Sequence, residues 1–227
     1  MVAAYSMYII GIFVAIGVSL LIHWTDVARH LDKEDYLLIE LPEYKMPDMR
    51  TVGIYVSDKV KGYLQKAGTI IFLGTIVIWG LLNFGPQGYT EDPTQSLGAL
   101  LGHSLVPLFA PIGLGFWQIT VALLSGISAK EVVVSSCAVL FGITNATSGE
   151  GMDRFQQALE SIGFTSINAL CLMVFCLLYV PCVAALATIR KESGSWAWTL
   201  GEAVFQLVTA WVVTFVVYQG FQIIFGA

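Results

Sequence analysis

The chain has 227 residues, 56% of them hydrophobic and only 12% charged, with a formal net charge of -5 and a mean hydropathy of +0.76. A soluble domain carries about 25% charge, so this composition excludes one and predicts an all-α polytopic transmembrane helix bundle, solvated by membrane lipid. No P-loop, dinucleotide fingerprint or zinc-finger spacing occurs, and nothing gives nucleic acid a footing as a partner.

Residues 4–24 form an uncharged run of about 20 residues, the length that crosses a hydrocarbon core. Arg29 and Lys33 follow this run rather than precede it, which argues for a span and against a cleavable signal peptide. Residues 25–66 then hold Arg29, Lys33, Lys45, Arg50, Lys59, Lys61 and Lys66, most of the 11 basic residues, so this connection is expected in the cytoplasm. Within it Val52, Val56, Val60 and Tyr63 recur every three to four positions with polar residues between, predicting an interfacial amphipathic helix that leads into the second span.

That span is expected at 67–84. The next loop has Gly85, Pro86, Gly88 and Pro93 with Glu91 and Asp92 but no Lys or Arg, and should face outward. Residues 97–141 are apolar yet interrupted by Pro107, Pro111, Gly113, Gly115 and the polar knot 125–131, so the backbone is expected to break there. A polar loop at 142–165 leads to a fourth block at 166–189 with Pro181 inside it. Arg190 and Lys191 close that block, and a last span covers 196–225. If Lys66 and Arg190 are both cytoplasmic, 97–141 must make either two crossings or a re-entrant hairpin. Irregular backbone is tolerated at membrane depth only where protein or a water-filled cavity covers it. This parity puts both ends of the chain outside and suggests an upstream membrane segment or partner.

Two features could carry chemistry. Lys130 and Glu131 are charges within an apolar stretch, each costing about 2.5 to 3.5 kcal/mol on insertion scales. On a helix Ser128, Glu131 and Ser135 share one face, whereas adjacent Lys130 and Glu131 point about 100° apart and serve different partners. The pair either marks a helix end at the interface, or lies on a polar pathway or locks a broken helix. Pro181, by lacking an N–H, frees the carbonyl near Leu177 beside the Cys182 thiol. A carbonyl next to a soft sulfur is a potential cation site, and transporters commonly hold substrate at a discontinuous helix. The alternative is that Cys182 packs as a small hydrophobe and Pro181 only kinks the helix. Cys137, Cys171 and Cys176 read as packing thiols, and His23, His30 and His103 as interfacial. Trp24, Trp79, Trp117, Trp196 and Trp198 suit an aromatic belt.

Five ordered stretches carry a resemblance. They are residues 37–47, with Glu40-Leu41-Pro42, Tyr44 and Pro47; Lys66-Ala67-Gly68-Thr69; Gly126-Ile127-Ser128-Ala129-Lys130-Glu131; Tyr179-Val180-Pro181-Cys182; and Ile189-Arg190-Lys191-Glu192-Ser193-Gly194. Together they resemble the carboxy-terminal half of the membrane domain of the ferrous iron transport protein B (FeoB) family. The resemblance implies multi-pass placement in a bacterial inner membrane and transport of ferrous iron as substrate, with no tightly bound cofactor. It implies a second gate segment in which Pro181, Cys182, Lys130, Glu131, Ser128 and Ser135 line the pathway, with Cys182 and Glu131 as transient Fe(II) ligands. The family's GTP-binding domain and first gate segment fall outside these residues. This stretch is therefore expected to be neither an enzyme nor a complete pore, and to partner an amino-terminal half or assemble as a homo-oligomer. The competing expectations are a gate-type carrier of an organic solute such as a nucleoside, and a non-transporting membrane scaffold.

Overall fold

The computed structural model describes residues 2–24, 46–90, 92–128, 130–143 and 148–225. The connection at 25–45, with His30 and most of the 37–47 motif, lies outside the described residues, as do Glu91 and Ala129. Among the described residues nine α-helices and one short hairpin make an all-α membrane bundle. The chain divides into two compact units, Met1–Lys66 and Ala67–Ala227.

In the first unit helix α1 covers Val2–Trp24, and its Tyr5–Trp24 part is long and apolar enough to cross a membrane. Large apolar side chains such as Ile9, Phe13, Ile16 and Leu21 stand exposed along it, as on a helix whose solvent is lipid. Helix α2, Met49–Asn83, starts where the Asp48 carboxylate accepts from the Thr51 amide at 3.1 Å and the Thr51 hydroxyl at 2.7 Å. The expected surface helix and second span therefore belong to one 35-residue helix. Its Phe72–Asn83 part is apolar.

In the second unit the end of α2 is followed by the hairpin β1 (Phe84–Gly85) and β2 (Gly88–Tyr89), paired Phe84 to Tyr89 and Gly85 to Gly88. Asp92 caps the following turn, accepting from the Thr94 amide at 3.0 Å and the Thr94 hydroxyl at 2.8 Å. These bonds hold its carboxyl below the ordinary value of 3.8. A depressed folded value means that the stabilisation is complete above the unfolded pKa and is lost as pH falls through the folded one. The protection of the Thr94 amide, its exchange rate relative to that of a free peptide at the same pH, is thus expected to hold from neutral pH downward and to fall only below the ordinary Asp range.

Helix α3 (Leu97–Phe109) then meets α4 (Trp117–Ser125) at a bend of 101°. Pro111, a 3-10 turn at Ala110–Ile112 and Gly113 at φ 75° make the corner, where the Leu114 amide closes on the Phe109 carbonyl at 3.0 Å. Three distant side chains pin it by donating to its carbonyls: Trp211 to Leu108 at 2.9 Å, Asn168 to Gly113 at 2.6 Å and Gln219 to Pro111 at 3.4 Å. A Cβ on Gly113 would stand 2.5 Å from Tyr218 Cε2 in a left-handed backbone. Gly113→Ala is expected to cost about 2 kcal/mol of unfolding free energy, read by denaturation in detergent.

Helix α5 (Val132–Leu140) follows, then α6 (Gly149–Ser161), which occupies most of the stretch expected as a polar loop. Ser148 accepts from the Gly151 amide at 3.2 Å to start α6, and Phe155, nearly buried, meets Phe141 edge-on at 6.1 Å. The periodic apolar positions Met152, Phe155 and Leu159 are sparse enough to read as loop in a segment of low hydropathy, although their spacing is helical. Helices α7 (Ser166–Leu178) and α8 (Val183–Ser193) are the two parts of the fourth block, and α9 (Trp196–Phe225) packs along both. The core lies where α4, α5 and α7 meet the 110–116 corner. Ile112, Leu114, Ile119, Cys171, Val174 and Phe175 are almost wholly buried there.

Candidate functional site

Two interruptions in helical backbone, one between α4 and α5 and one between α7 and α8, face and bond each other. Each arises locally. After Ser125 the chain leaves the helix through Gly126, Ile127 and Ser128, with the Ser125 hydroxyl turned back on the Ala122 carbonyl at 2.8 Å and the Ser128 hydroxyl on the Ser125 carbonyl at 2.7 Å. After Leu178 the backbone extends at Tyr179 (ψ 174°), two residues before Pro181, whose ring keeps Val180 out of the helical region, and α8 restarts behind Cys182.

The joint has two parts. The Val183 amide, one of the unsatisfied donors at the start of α8, donates to the Ile127 carbonyl at 3.0 Å. In the opposite direction Lys130 Nζ donates to the carbonyl oxygens of Cys176 at 3.2 Å, Leu177 at 3.5 Å and Tyr179 at 3.2 Å. The ammonium also lies 4.9 Å from the centroid of the Tyr179 ring, and within electrostatic range of the Cys176 and Cys182 sulfurs. These are the carbonyls that the end of α7 leaves without amide partners, at the negative pole of its dipole. Hydrogen bonds to a charged group contribute about 1.5 to 3 kcal/mol each. Three of them, with a cation–π contact of about 0.5 to 2 kcal/mol, offset the insertion cost of the charge.

Lys130, Pro181 and Cys182 are thus gathered at one place, where the Lys130 ammonium bonds from one break to the other. The carbonyl near Leu177, expected to be free for a cation, already receives one from within the chain. Ser128 is half-buried, bonded to its own turn, and its Cβ would be 3.1 Å from a Cβ on Gly74. The side chains of Glu131 and Ser135 are exposed. Cys182, half-buried, caps the start of α8 with its carbonyl, which accepts from the Ala185 and Leu186 amides at 2.9 and 3.1 Å. All four cysteines are free thiols, Cys137 and Cys171 buried. His103 is exposed and stacks on Trp117 at 5.5 Å. Among the described residues no three His, Cys, Asp or Glu side chains are grouped to hold a metal.

Two participants carry weak sequence signals. Tyr179 supplies both a ring under the ammonium and a carbonyl, while its hydroxyl is buried without a partner among the described residues. Gly126 touches that hydroxyl: a Cβ there would overlap Tyr179 Oη and Val133 Cγ2. Its signal was a glycine in an otherwise apolar stretch, which near the end of a helical pattern points to a C-cap. Beside the joint runs an apolar groove of ≈ 530 Å³ bordered by Leu73, Val77, Leu101, Leu124, Ile127, Ser128 and Val183. One wall of the interlocked breaks is therefore the floor of a hollow rather than packed core.

Comparison with known proteins places this architecture. Residues 64–196 match the family described as Gate, nucleoside recognition, and residues 4–59 match the family described as ferrous iron transport protein B C terminus. A Staphylococcus aureus (strain MSSA476) protein named Fe(2+) transporter FeoB is 38% identical over 221 residues, covering 94% of this chain and 31% of its own length. The Methanocaldococcus jannaschii protein of that name is 36% identical over 220 residues, with 93% and 31% covered. A Porphyromonas gingivalis protein named Fe(2+) transport protein A/Fe(2+) transporter FeoB fusion protein is 31% identical over 257 residues, with 95% and 30% covered. No solved structure gives a significant match. The chain spans about a third of the length of these relatives. With its gate segment and FeoB-specific region both matched, and in the order in which its motifs stand, the chain belongs to the FeoB family, as a carboxy-terminal membrane portion.

Proposed function

We propose that this chain forms the carboxy-terminal gate of a ferrous iron transporter in a bacterial inner membrane, and that Fe(II) passes the paired helix breaks beside Cys182. The observation that carries this reading is the joint itself. It sets a thiol, a cluster of helix-end carbonyls and an exposed carboxylate, Glu131, around an interruption bordered by a hollow. Relatives over almost the whole chain bear the name Fe(2+) transporter. Fe(II) is a borderline cation that accepts sulfur and oxygen ligands together. Oxygen and sulfur groups at a helix break can replace part of its hydration shell without a closed chelate, which suits cargo that must leave again.

In this reading Cys182 is the principal transient ligand and Glu131 the carboxylate that draws the cation toward the break. Ser128 and Ser135 are polar positions along the route, and Pro181 leaves the Leu177 carbonyl without an amide donor. The gate works with an amino-terminal FeoB-like half that carries the GTP-binding domain, possessed either by the same polypeptide or by a partner. Iron uptake into cells or proteoliposomes containing the complete transporter tests the roles. Cys182→Ser is expected to lower Fe(II) uptake about tenfold, in the range seen when groups around a metal are altered. Glu131→Gln should reduce it less. Full-rate transport by both variants removes the assigned ligands.

The Gate description supports a second reading, a carrier of an organic solute such as a nucleoside. Its observable is uptake of labelled nucleoside that iron does not compete with and that Cys182→Ser leaves unchanged.

A further inference from the structure

The end of α7 is a cation site, and its occupant belongs to the protein. A primary ammonium has three donors, and Lys130 meets three carbonyl oxygens at 3.2, 3.5 and 3.2 Å with an aromatic face 4.9 Å away. Carbonyl clusters of this kind replace the water shell of small monovalent cations, and the ring adds attraction for an ammonium. The chemistry of the cradle is therefore set by carbonyls that the end of α7 leaves unpaired, that of Leu177 through Pro181, and not by the lysine that fills it. Lys130 is also borne by the other break, whose Ile127 carbonyl is bonded to the Val183 amide. The ammonium and the joint between the breaks are thus attached to the same short segment.

We propose that Lys130 is a tethered plug: its ammonium occupies the cation site at the end of α7 and closes it to monovalent cations until an incoming cation displaces it. The role as a plug rests on the reading that the cation route passes the break beside Cys182. The site itself does not, because its ligands are the three carbonyls and the Tyr179 ring. A divalent ion is drawn about twice as strongly as an ammonium by the same dipoles at equal distance, against a larger dehydration cost.

The test uses the complete transporter in detergent with Lys130→Ala, Lys130→Arg and Lys130→Met. Methylammonium is the probe, since it restores the missing head group. Thermal unfolding of Lys130→Ala is expected to shift upward as methylammonium is added, growing with concentration as binding to the folded state requires. Tetramethylammonium, which has no N–H donor, should leave it unmoved, and the wild type should respond to neither. A response of Lys130→Ala to methylammonium no larger than to tetramethylammonium overturns the proposal. If Lys130→Ala is recovered from membranes only when methylammonium is present, the site is supported; recovery with neither ion overturns it. Where the site binds methylammonium, the plug is read by Tl+ entry into proteoliposomes. Lys130→Met is expected to admit Tl+ about tenfold faster than wild type, equivalent to lowering a barrier by about 1.4 kcal/mol, and Lys130→Arg to stay near wild type. Equal Tl+ entry in all three overturns the plug. Methylammonium binding that persists while Cys182→Ser transports iron normally leaves the site standing and removes the iron route. Loss of uptake in Cys182→Ser with no methylammonium binding does the reverse.

Discussion

Gly126→Ala is expected to be a strongly damaging substitution, costing about 3 kcal/mol or more of unfolding free energy. Overpacking ordinarily costs about 1 to 3 kcal/mol because neighbours can yield. Here the two overlapped atoms, Tyr179 Oη and Val133 Cγ2, have little freedom. The Tyr179 ring is stacked on Phe175 at 5.5 Å with its own carbonyl held by Lys130, and Val133 is buried in the first turn of α5. Relief can come only by parting the two breaks, which stretches the Val183 to Ile127 bond. Set against a total stability of about 5 to 15 kcal/mol, that loss removes much of the folded population. Unfolding in detergent measures it, and Tyr179→Phe supplies an internal control. Its hydroxyl is buried without a partner among the described residues, so deleting it is expected to be neutral or mildly stabilising. In the double variant it should return about 1 kcal/mol of the loss, the signature of direct contact in a mutant cycle. Additive effects would show that the two residues do not meet.

Lys130→Met should destabilise the same joint by about 2 to 4 kcal/mol, and opposing terms decide the sign. Removing the charge recovers an insertion cost of about 2.5 to 3.5 kcal/mol. It also removes three charge-assisted bonds of about 1.5 to 3 kcal/mol each. The carbonyls of Cys176, Leu177 and Tyr179 then remain at a helix end with no amide to accept from, so the loss exceeds the gain. Lys130→Arg keeps the charge but presents a planar fork that does not match three carbonyls of one helix end, and an intermediate loss of about 1 kcal/mol is expected. Chemical denaturation of the three proteins gives the order wild type, Lys130→Arg, Lys130→Met. A Lys130→Met protein as stable as wild type would mean that the ammonium contributes nothing to the joint.

Much of this fold was legible because it is written locally. The run at 4–24, the fourth block and the final span are apolar over lengths that only a membrane helix needs, and α1, the Ser166–Ser193 stretch and α9 stand where those runs are. The interruptions were legible too, since proline and glycine act on their own backbone: the corner after α3 falls at Pro111 and Gly113, and the gap between α7 and α8 at Pro181. Less legible was α6, whose few apolar positions sit in a polar stretch and acquire meaning only through Phe141 and the core beneath. The continuity of α2 was likewise hidden, because a change from amphipathic to apolar composition looks like a boundary although the backbone has no reason to stop.

Among candidate site residues the same division holds. Lys130 and Glu131 stood out equally as charges in an apolar segment, yet the fold gives them different fates. Lys130 reaches carbonyls 46 to 49 residues away, while Glu131 stays exposed. A one-position step turns a side chain by about 100° on a helix, which separates the two but does not say what lies in either direction. The amino-acid sequence by itself determined which segments are long and apolar enough to enter a membrane, where their helices are interrupted, and that a charge in an apolar stretch required compensation. Tertiary structure alone decided that the two interruptions face each other and that the compensation is backbone carbonyl. Every residue carries that group, so no sequence pattern marks the three that a distant lysine will find.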